Sequence, residues 1–384
     1  MSLIFLAGLS LLAQTHPVAQ IDSAIRDGID RGAFPGAVVV VGTADTVLLM
    51  RGYGGLTWSA ESGTPSPDST LYDLASLTKV VVTTPAAMLL VDRGLLNLDE
   101  PVASYLPEFI GEGKDQISVR DLLAHTSGLR AFLPLNTLTE TAAEAKTRVL
   151  QEELRFQPGS RVVYSDLNAI LLGWVIEAVS GMPLDEFSST ELFEPLGMAE
   201  TRYRLPRSLH SRAAPINVWR GTPIRGVVHD QNAERLGGVS GHAGLYSTGS
   251  DMARYAQTLL RLGRVSNGES LISQTTVIDF TSRGRDHRAL GFEMRDTTVQ
   301  SSAGELFSAN SFGHGGFTGT SIWLDPDRGL FVVLLTNRVY APRTSRSISV
   351  LREIRGRVAD AAVRLNERTC RILAIAGSPV TGCP

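Results

Sequence analysis

The chain holds a single Ser-x-x-Lys, Ser76-Leu77-Thr78-Lys79, and only three lysines in all, the others being Lys114 and Lys146. A serine hydroxyl is a poor nucleophile until a neighbour takes its proton, and an amine with a lowered pKa can help do so. On a helix, residues three apart share a face about one turn apart, which suits contact between hydroxyl and amine. Arginine stays protonated, whereas a desolvated lysine can release its proton, and Lys79 stands just ahead of the apolar run Val80 to Val91. Taken alone, the pair also fits a capped helix whose lysine snorkels to water. Two other stretches could complete a site. Tyr164-Ser165-Asp166 follows the turn Pro158-Gly159; a phenol near a cationic lysine ionises more readily and can act as general base. The stretch Phe312 to Thr320, with His314-Gly315-Gly316 inside it, precedes an apolar run. Its glycines let substrate approach a strand edge, and backbone N–H groups there can aim at a developing oxyanion. Singly, the tyrosine reads as a half-buried aromatic and the glycine stretch as a turn with a structural histidine.

Periodicity predicts the elements that hold these stretches. Ile21 to Gly32 is a short amphipathic helix. Ala37 to Val41 and Thr46 to Met50 flank Gly42-Thr43-Ala44-Asp45 as a hairpin, and the first strand, apolar throughout, should be buried on both faces. Pro85 predicts a kink in the helix after Ser76, and Gly94 ends it. Ser118 to Asp121 is a capping box for a helix to His125. Glu140 to Leu154 is a polar helix, and Asn168 to Val179 an apolar one closed by Gly181. Thr248 to Asp251 opens another, running to Leu262. Gly237 to Gly244 should be a tight loop packed on other backbone. Thr320 to Leu324 and Leu330 to Thr336 return to strand, and Ser345 to Leu365 to helix. Strands at both ends imply an α/β fold: an antiparallel sheet built from both chain ends and flanked by helices. The sheet part covers about 20–75 and 290–366, a mostly helical inserted subdomain covers about 76–289, and 367–384 forms a tail.

At 384 residues, 43% apolar and 20% charged, the chain can bury a large core as one domain or two intertwined ones. A net charge of −3 gives no reason to expect nucleic acid or an anionic membrane as partner. No Cys/His cluster has zinc-ligand spacing, so neither a metal nor another cofactor is expected. Met1 to Gln20 is apolar with small residues at Ala13 and Ala19. Without a basic n-region it still reads as a secretory signal over residues 1–19, which makes the protein exported, periplasmic or secreted. The alternative is an N-terminal helix on the core. No later stretch is read as an integral membrane segment. Cys370 and Cys383 could pair after export or stay free. The Gly-x-Ser-x-Gly elbow of α/β-hydrolases is absent.

Ser76-Leu77-Thr78-Lys79, then Tyr164-Ser165-Asp166, then His314-Gly315-Gly316 resembles the motif set of the serine penicillin-recognising proteins. The similarity is to the class C type: class C β-lactamases, low-molecular-weight penicillin-binding proteins with DD-peptidase activity, and family VIII esterases. Leu122 to Leu129, Gly313 to Ser321 and Val227 to Ala233 support it, and it runs from about Ile21 to Leu365. The resemblance implies a β-lactamase/transpeptidase-like fold. It makes Ser76 the acylated nucleophile, Lys79 the residue that holds serine and tyrosine in range and helps move the proton, and Tyr164 the base. The backbone N–H groups of Ser76 and Phe317 form the oxyanion hole. Asp166, His314, Gly315 and Gly316 face substrate. Two positions depart from the pattern. Asp166 replaces an asparagine with a group that only accepts when ionised. His314 replaces a lysine and carries full charge only below its pKa, which weakens fixed recognition of a carboxylate; Arg343 or Arg346 could supply that charge. His125, His229 and His242 read as loop-fixing residues. The expected function is a serine hydrolase acting through a Ser76 acyl-enzyme on a small-molecule or peptide substrate, first of all a D-amino-acid peptide in the manner of a DD-peptidase. A family VIII carboxylesterase and a β-lactamase follow, and a penicillin-acylated sensor without turnover is the reading from another class. No oligomeric state is implied.

Overall fold

A computed structural model of the chain describes residues 16–219, 221–340 and 348–375. The strands Gly36–Thr43 and Val47–Gly54 form the expected hairpin. Leu330–Thr336, Ser321–Asp325, Phe312–Gly315 and Glu293–Met294 extend it, in that order, into a six-stranded sheet. Every pairing is antiparallel, and the first and last strands of the chain lie side by side, Ala37 opposite Thr336 and Thr43 opposite Leu330. The sheet thus joins both chain ends.

Side chains alternate across a strand, and here both faces are covered. Val38 and Val40 pack into a core with Leu77, Tyr255, Val333 and Leu335. Ala37, Val39 and Val41 pack into a second core with Ile21, Ile25, Leu351, Ile354 and Val358. That is why Gly36–Thr43 carries no alternation of polar residues: all eight are buried. The second core comes from two terminal helices, Pro17–Asp30 and Ile348–Ile375, bridged by Arg31 and Glu353 at 3.0 Å. The first begins before the expected Ile21 because the His16 ring accepts the Val18 N–H and Pro17 suits the first turn. The second runs beyond Leu365, so residues 367–375 continue the helix rather than forming a tail. Residues 1–15, which make up most of the expected signal, lie outside the described residues, as do Arg343, Arg346 and Cys383.

The Pro85 kink takes a specific form. Lys79–Thr83 is a π-helical turn, and the α-helix Thr84–Asp92 starts after it with Pro85 in its first turn. Proline lacks an N–H and its ring crowds the carbonyl four residues back, and the wider turn accommodates both. The run Ala75–Asp92 is long and apolar enough to cross a membrane, contrary to expectation, and 83% of it is buried inside the fold. The capping box at Ser118, the αL stop at Gly181 and the Thr248 cap are present. The polar helix is shorter than expected, Ala142–Leu150, with Thr141 capping its start. The inserted part is not helical throughout. Tyr72–Asp73, Leu245–Ser247 and Arg202–Tyr203 make a small sheet, and Asn217–Trp219 pairs with Thr222–Ile224. Strands of two or three residues are too short to show a period.

Candidate active site

Ser76 sits in a 3₁₀ turn, Ala75–Leu77, and Lys79 opens the π turn that follows. Leu74, Leu77 and Val80 are fully buried. They seat it in the core, so Ser76 and Lys79 keep their contact without an α-helix between them. The Lys79 ammonium donates to Ser76 Oγ at 3.0 Å, to Asp166 Oδ1 at 2.8 Å and to the His242 carbonyl at 3.2 Å. Those three acceptors match its three N–H bonds. Burial pulls the amine down, yet the Asp166 carboxylate and then the Tyr164 phenol outweigh that penalty and hold Lys79 above the ordinary lysine range. This corrects the expectation of a lowered amine. Lys79 stands here as a cation, and a cation cannot take the serine proton.

Asp166 is the first residue of the helix Asp166–Ser180, where a carboxylate suits the helix dipole. Its N–H is tied to the Ala131 carbonyl at 2.9 Å. Its Oδ1 accepts from Lys79, with 3% of the lysine side chain and 19% of the aspartate exposed.

The Tyr164 ring is the meeting point of four groups. The Lys79 Nζ lies 5.0 Å from its centroid and the Arg288 Cζ 5.1 Å. The rings of His125 and His314 lie at 4.8 Å and 5.5 Å. His125 caps the helix Val119–Ala124 with a positive φ of 58°. Its Nδ1 accepts from the Ser165 N–H and from Asn168 Nδ2, both at 3.2 Å. Burial, then the Arg288 and Lys79 charges, keep this imidazole well below its usual range and therefore neutral. His125 thus fixes the backbone on one side of Tyr164, the loop-fixing role expected of it.

His314 lies on the strand Phe312–Gly315, and the same causes, burial first and then Arg288 and Lys79, hold its pKa far down. Its Nδ1 donates to the Gly315 carbonyl at 2.8 Å, since a carbonyl can only accept. Nε2 is then an acceptor, buried and without a partner among the described residues. An uncharged His314 cannot grip a carboxylate as lysine would. Gly315 pairs with Ser321 and leaves room for the Arg355 guanidinium, 3.1 Å from where a Cβ would stand. Gly316 must be glycine because a Cβ there would meet the Leu74 carbonyl oxygen at 2.5 Å. The hydroxyls of Thr318 and Thr320 donate to the carbonyls of Asp73 and Leu74, at 2.7 and 3.0 Å. Phe317, 61% exposed, therefore sits on the residues just before Ser76, with its ring 5.5 Å from that of His229.

The glycine loop packs on backbone as expected: a Cβ at Gly241 would lie 2.1 Å from the Ala169 carbonyl oxygen. His242, beside it, pairs with Asp230 at 3.0 Å and with Ser240 Oγ at 2.8 Å. The structure thus brings Ser76, Lys79, Tyr164, Asp166 and His314 together, with Gly316 packed on Leu74, two residues before Ser76. It adds Arg288, Asp230 and the His242 carbonyl. The phrases Val227 to Ala233 and Gly237 to Gly244 marked two of these additions; Arg288 stood in no motif, one arginine among many.

Residues 21–353 match the family model described as Beta-lactamase. A protein of Salmonella typhi, provisionally named a D-alanyl-D-alanine carboxypeptidase, is 30% identical over 361 residues, covering 84% of this chain and 83% of that one. Among solved structures, the hydrolase EstCE1, described as having promiscuous acyltransferase activity, has a TM-score of 0.74 at 21% identity, covering 92% of this chain and 100% of the other. A penicillin-binding protein homologue from Caulobacter crescentus has a TM-score of 0.72 at 22% identity, covering 91% and 97%.

Proposed function

Because this chain belongs to the beta-lactamase family of serine hydrolases, we propose that it removes the terminal residue of D-amino-acid peptides through an acyl-enzyme on Ser76. The observation that carries this reading is the Lys79 ammonium, 3.0 Å from Ser76 Oγ and 5.0 Å from the Tyr164 ring centroid. With the lysine charged, Tyr164 is the proposed base that takes the proton from the serine oxygen. Lys79 then stabilises the negative charge on that oxygen. Ser76 Oγ bonds to the carbonyl carbon while the bond to the terminal D-alanine nitrogen breaks. Tyr164 passes its proton to that nitrogen, then takes one from the water that attacks the acyl group and returns it to Ser76 Oγ as the ester bond breaks. The N–H groups of Ser76 and Phe317 are the proposed oxyanion donors.

Arg288 bears on which substrate enters. Its guanidinium lies over the Tyr164 ring, and its Nη1 is buried without a partner among the described residues. Arginine is always charged and matches a carboxylate with two parallel donors. It is the proposed anchor for a peptide C-terminus, in the role that His314 cannot fill. Carboxylic esters form the second reading, favoured by the uncharged His314. Such peptides lie outside the cytoplasm, in keeping with the export proposed from residues 1–19.

The test compares a peptide ending in D-Ala-D-Ala, its C-terminal amide and a short nitrophenyl ester, with wild type and Ser76→Ala. Release of D-alanine by wild type alone, with KM at least tenfold higher for the amide, is the expected result. Hydrolysis of the ester without any release of D-alanine would overturn the peptide assignment. Equal rates for wild type and Ser76→Ala would overturn the nucleophile.

A further inference from the structure

Asp73 is a buried carboxylate, 3% exposed, that the chemistry above does not use. Burying a carboxylate is costly unless hydrogen bonds compensate for the lost water. Here two backbone groups do so, from opposite sides. The Ala75 N–H donates to Oδ1 at 2.8 Å, and the His229 N–H donates to Oδ2 at 2.7 Å. Ala75 has φ +47°, a conformation that alanine adopts only at a cost, and it directly precedes the nucleophile. The Asp73 carbonyl takes a third bond, 2.7 Å long, from the Thr318 hydroxyl, one residue after Phe317. The His229 ring in turn rests against the ring of Phe317. One residue therefore meets the strained turn before Ser76, the loop that carries Asp230, and the stretch that carries Phe317.

We propose that Asp73 is a positioning residue for acylation: its carboxylate and carbonyl tie Ala75, His229 and Thr318 together, presetting the Ser76 and Phe317 N–H groups as one oxyanion site. This rests on the reading of Ser76 as nucleophile, but not on which substrate acylates it. The ionisable groups that it feels are Asp230, on the loop it binds, and Tyr246, on the strand paired with its own. Burial pushes the Asp73 carboxyl up to about 6, and the two backbone N–H bonds pull against that rise. Protonation turns one oxygen into an O–H donor and makes it a poorer acceptor, so the device is complete above about pH 6 and weakens as the pH falls below it.

The experiment labels the full chain with a fluorophosphonate, which reports Ser76 reactivity without a natural substrate. Asp73→Asn keeps the shape but sets an amide NH2 against one of the two N–H donors. Thr318→Val removes only the third bond. The expected result is a labelling rate about 10- to 10²-fold lower for Asp73→Asn, less than the roughly 10²–10³ lost when an oxyanion donor is removed outright, with a smaller fall for Thr318→Val. In the peptide assay kcat falls while KM stays within about twofold. The acid limb near pH 6 in the wild-type rate disappears in Asp73→Asn. A wild-type labelling rate in folded Asp73→Asn, or the same acid limb in both proteins, would overturn the proposal. If Asp73→Asn does not fold, a wild-type labelling rate in Thr318→Val overturns it instead. Failure of wild type itself to label at Ser76 would overturn the nucleophile, which is a different result.

Discussion

Asp166→Asn tests whether one carboxylate keeps the active-site lysine charged. The pair is 2.8 Å long, with the lysine side chain 3% exposed. Unit charges about 3 Å apart at an effective dielectric near 20 attract by roughly 5 kcal/mol, and desolvation of both ions offsets much of that. Removing one member of a buried pair costs about 3–5 kcal/mol because the other charge is left behind. Here the asparagine oxygen still accepts a hydrogen bond and the site is partly open at Asp166, so a loss of about 1–3 kcal/mol is expected. The sign with pH follows from the raised Lys79 value. The stabilisation is fully present at neutral pH and fades only as pH rises through that raised range. The gap between the two proteins should therefore stay constant from about pH 6 to 9. In Asp166→Asn burial counts for more, and Lys79 sheds its proton at lower pH than in wild type. The assay is urea unfolding at several pH values, with fluorophosphonate labelling of Ser76 from pH 6 to 10. Unfolding within about 0.5 kcal/mol of wild type, together with a superimposable pH–rate profile, would refute the reasoning.

Three other outcomes follow from the same geometry. Lys79→Ala and Tyr164→Phe should each slow acylation by on the order of 10² to 10⁴, the range of a proton-transfer group; a nitrophenyl-ester burst within twofold of wild type would remove either role. Arg288→Gln should raise KM at least tenfold for a peptide with a free C-terminal carboxylate and leave a neutral ester unchanged, and steady-state kinetics on both substrates separates these effects. Gly241→Ala forces a Cβ toward the Ala169 carbonyl oxygen, 2.1 Å away, so the loop must lift and move the His242 carbonyl off Lys79. A loss of about 1–3 kcal/mol in stability, the usual cost of overpacking, should accompany a slower burst, measured by thermal unfolding and stopped flow.

What could be read without coordinates was local chemistry and its order along the chain. The Ser76-to-Lys79 spacing, the capping box at Ser118, the wholly apolar first strand and the paired chain ends are statements about neighbours or periods, and residue types carry those directly. The short central strands, the π turn at Lys79–Thr83 and the true start of the helix at Asp166 were not legible. Each is set by packing between segments far apart in the chain.

Charge state was the main thing left for the tertiary structure to decide. A lysine in an apolar run could equally have been neutral or cationic; Asp166, 87 residues away, makes it cationic. A histidine in place of a lysine could have been charged; burial beside Arg288 and Lys79 leaves it neutral. Protonation depends on what surrounds a group in three dimensions, and no local pattern encodes that. Residue types and their order therefore determined that this chain carries a serine, an amine and a phenol suited to acyl transfer. Only folding, by bringing Asp166 and the His242 carbonyl to them, decided that the amine holds its proton.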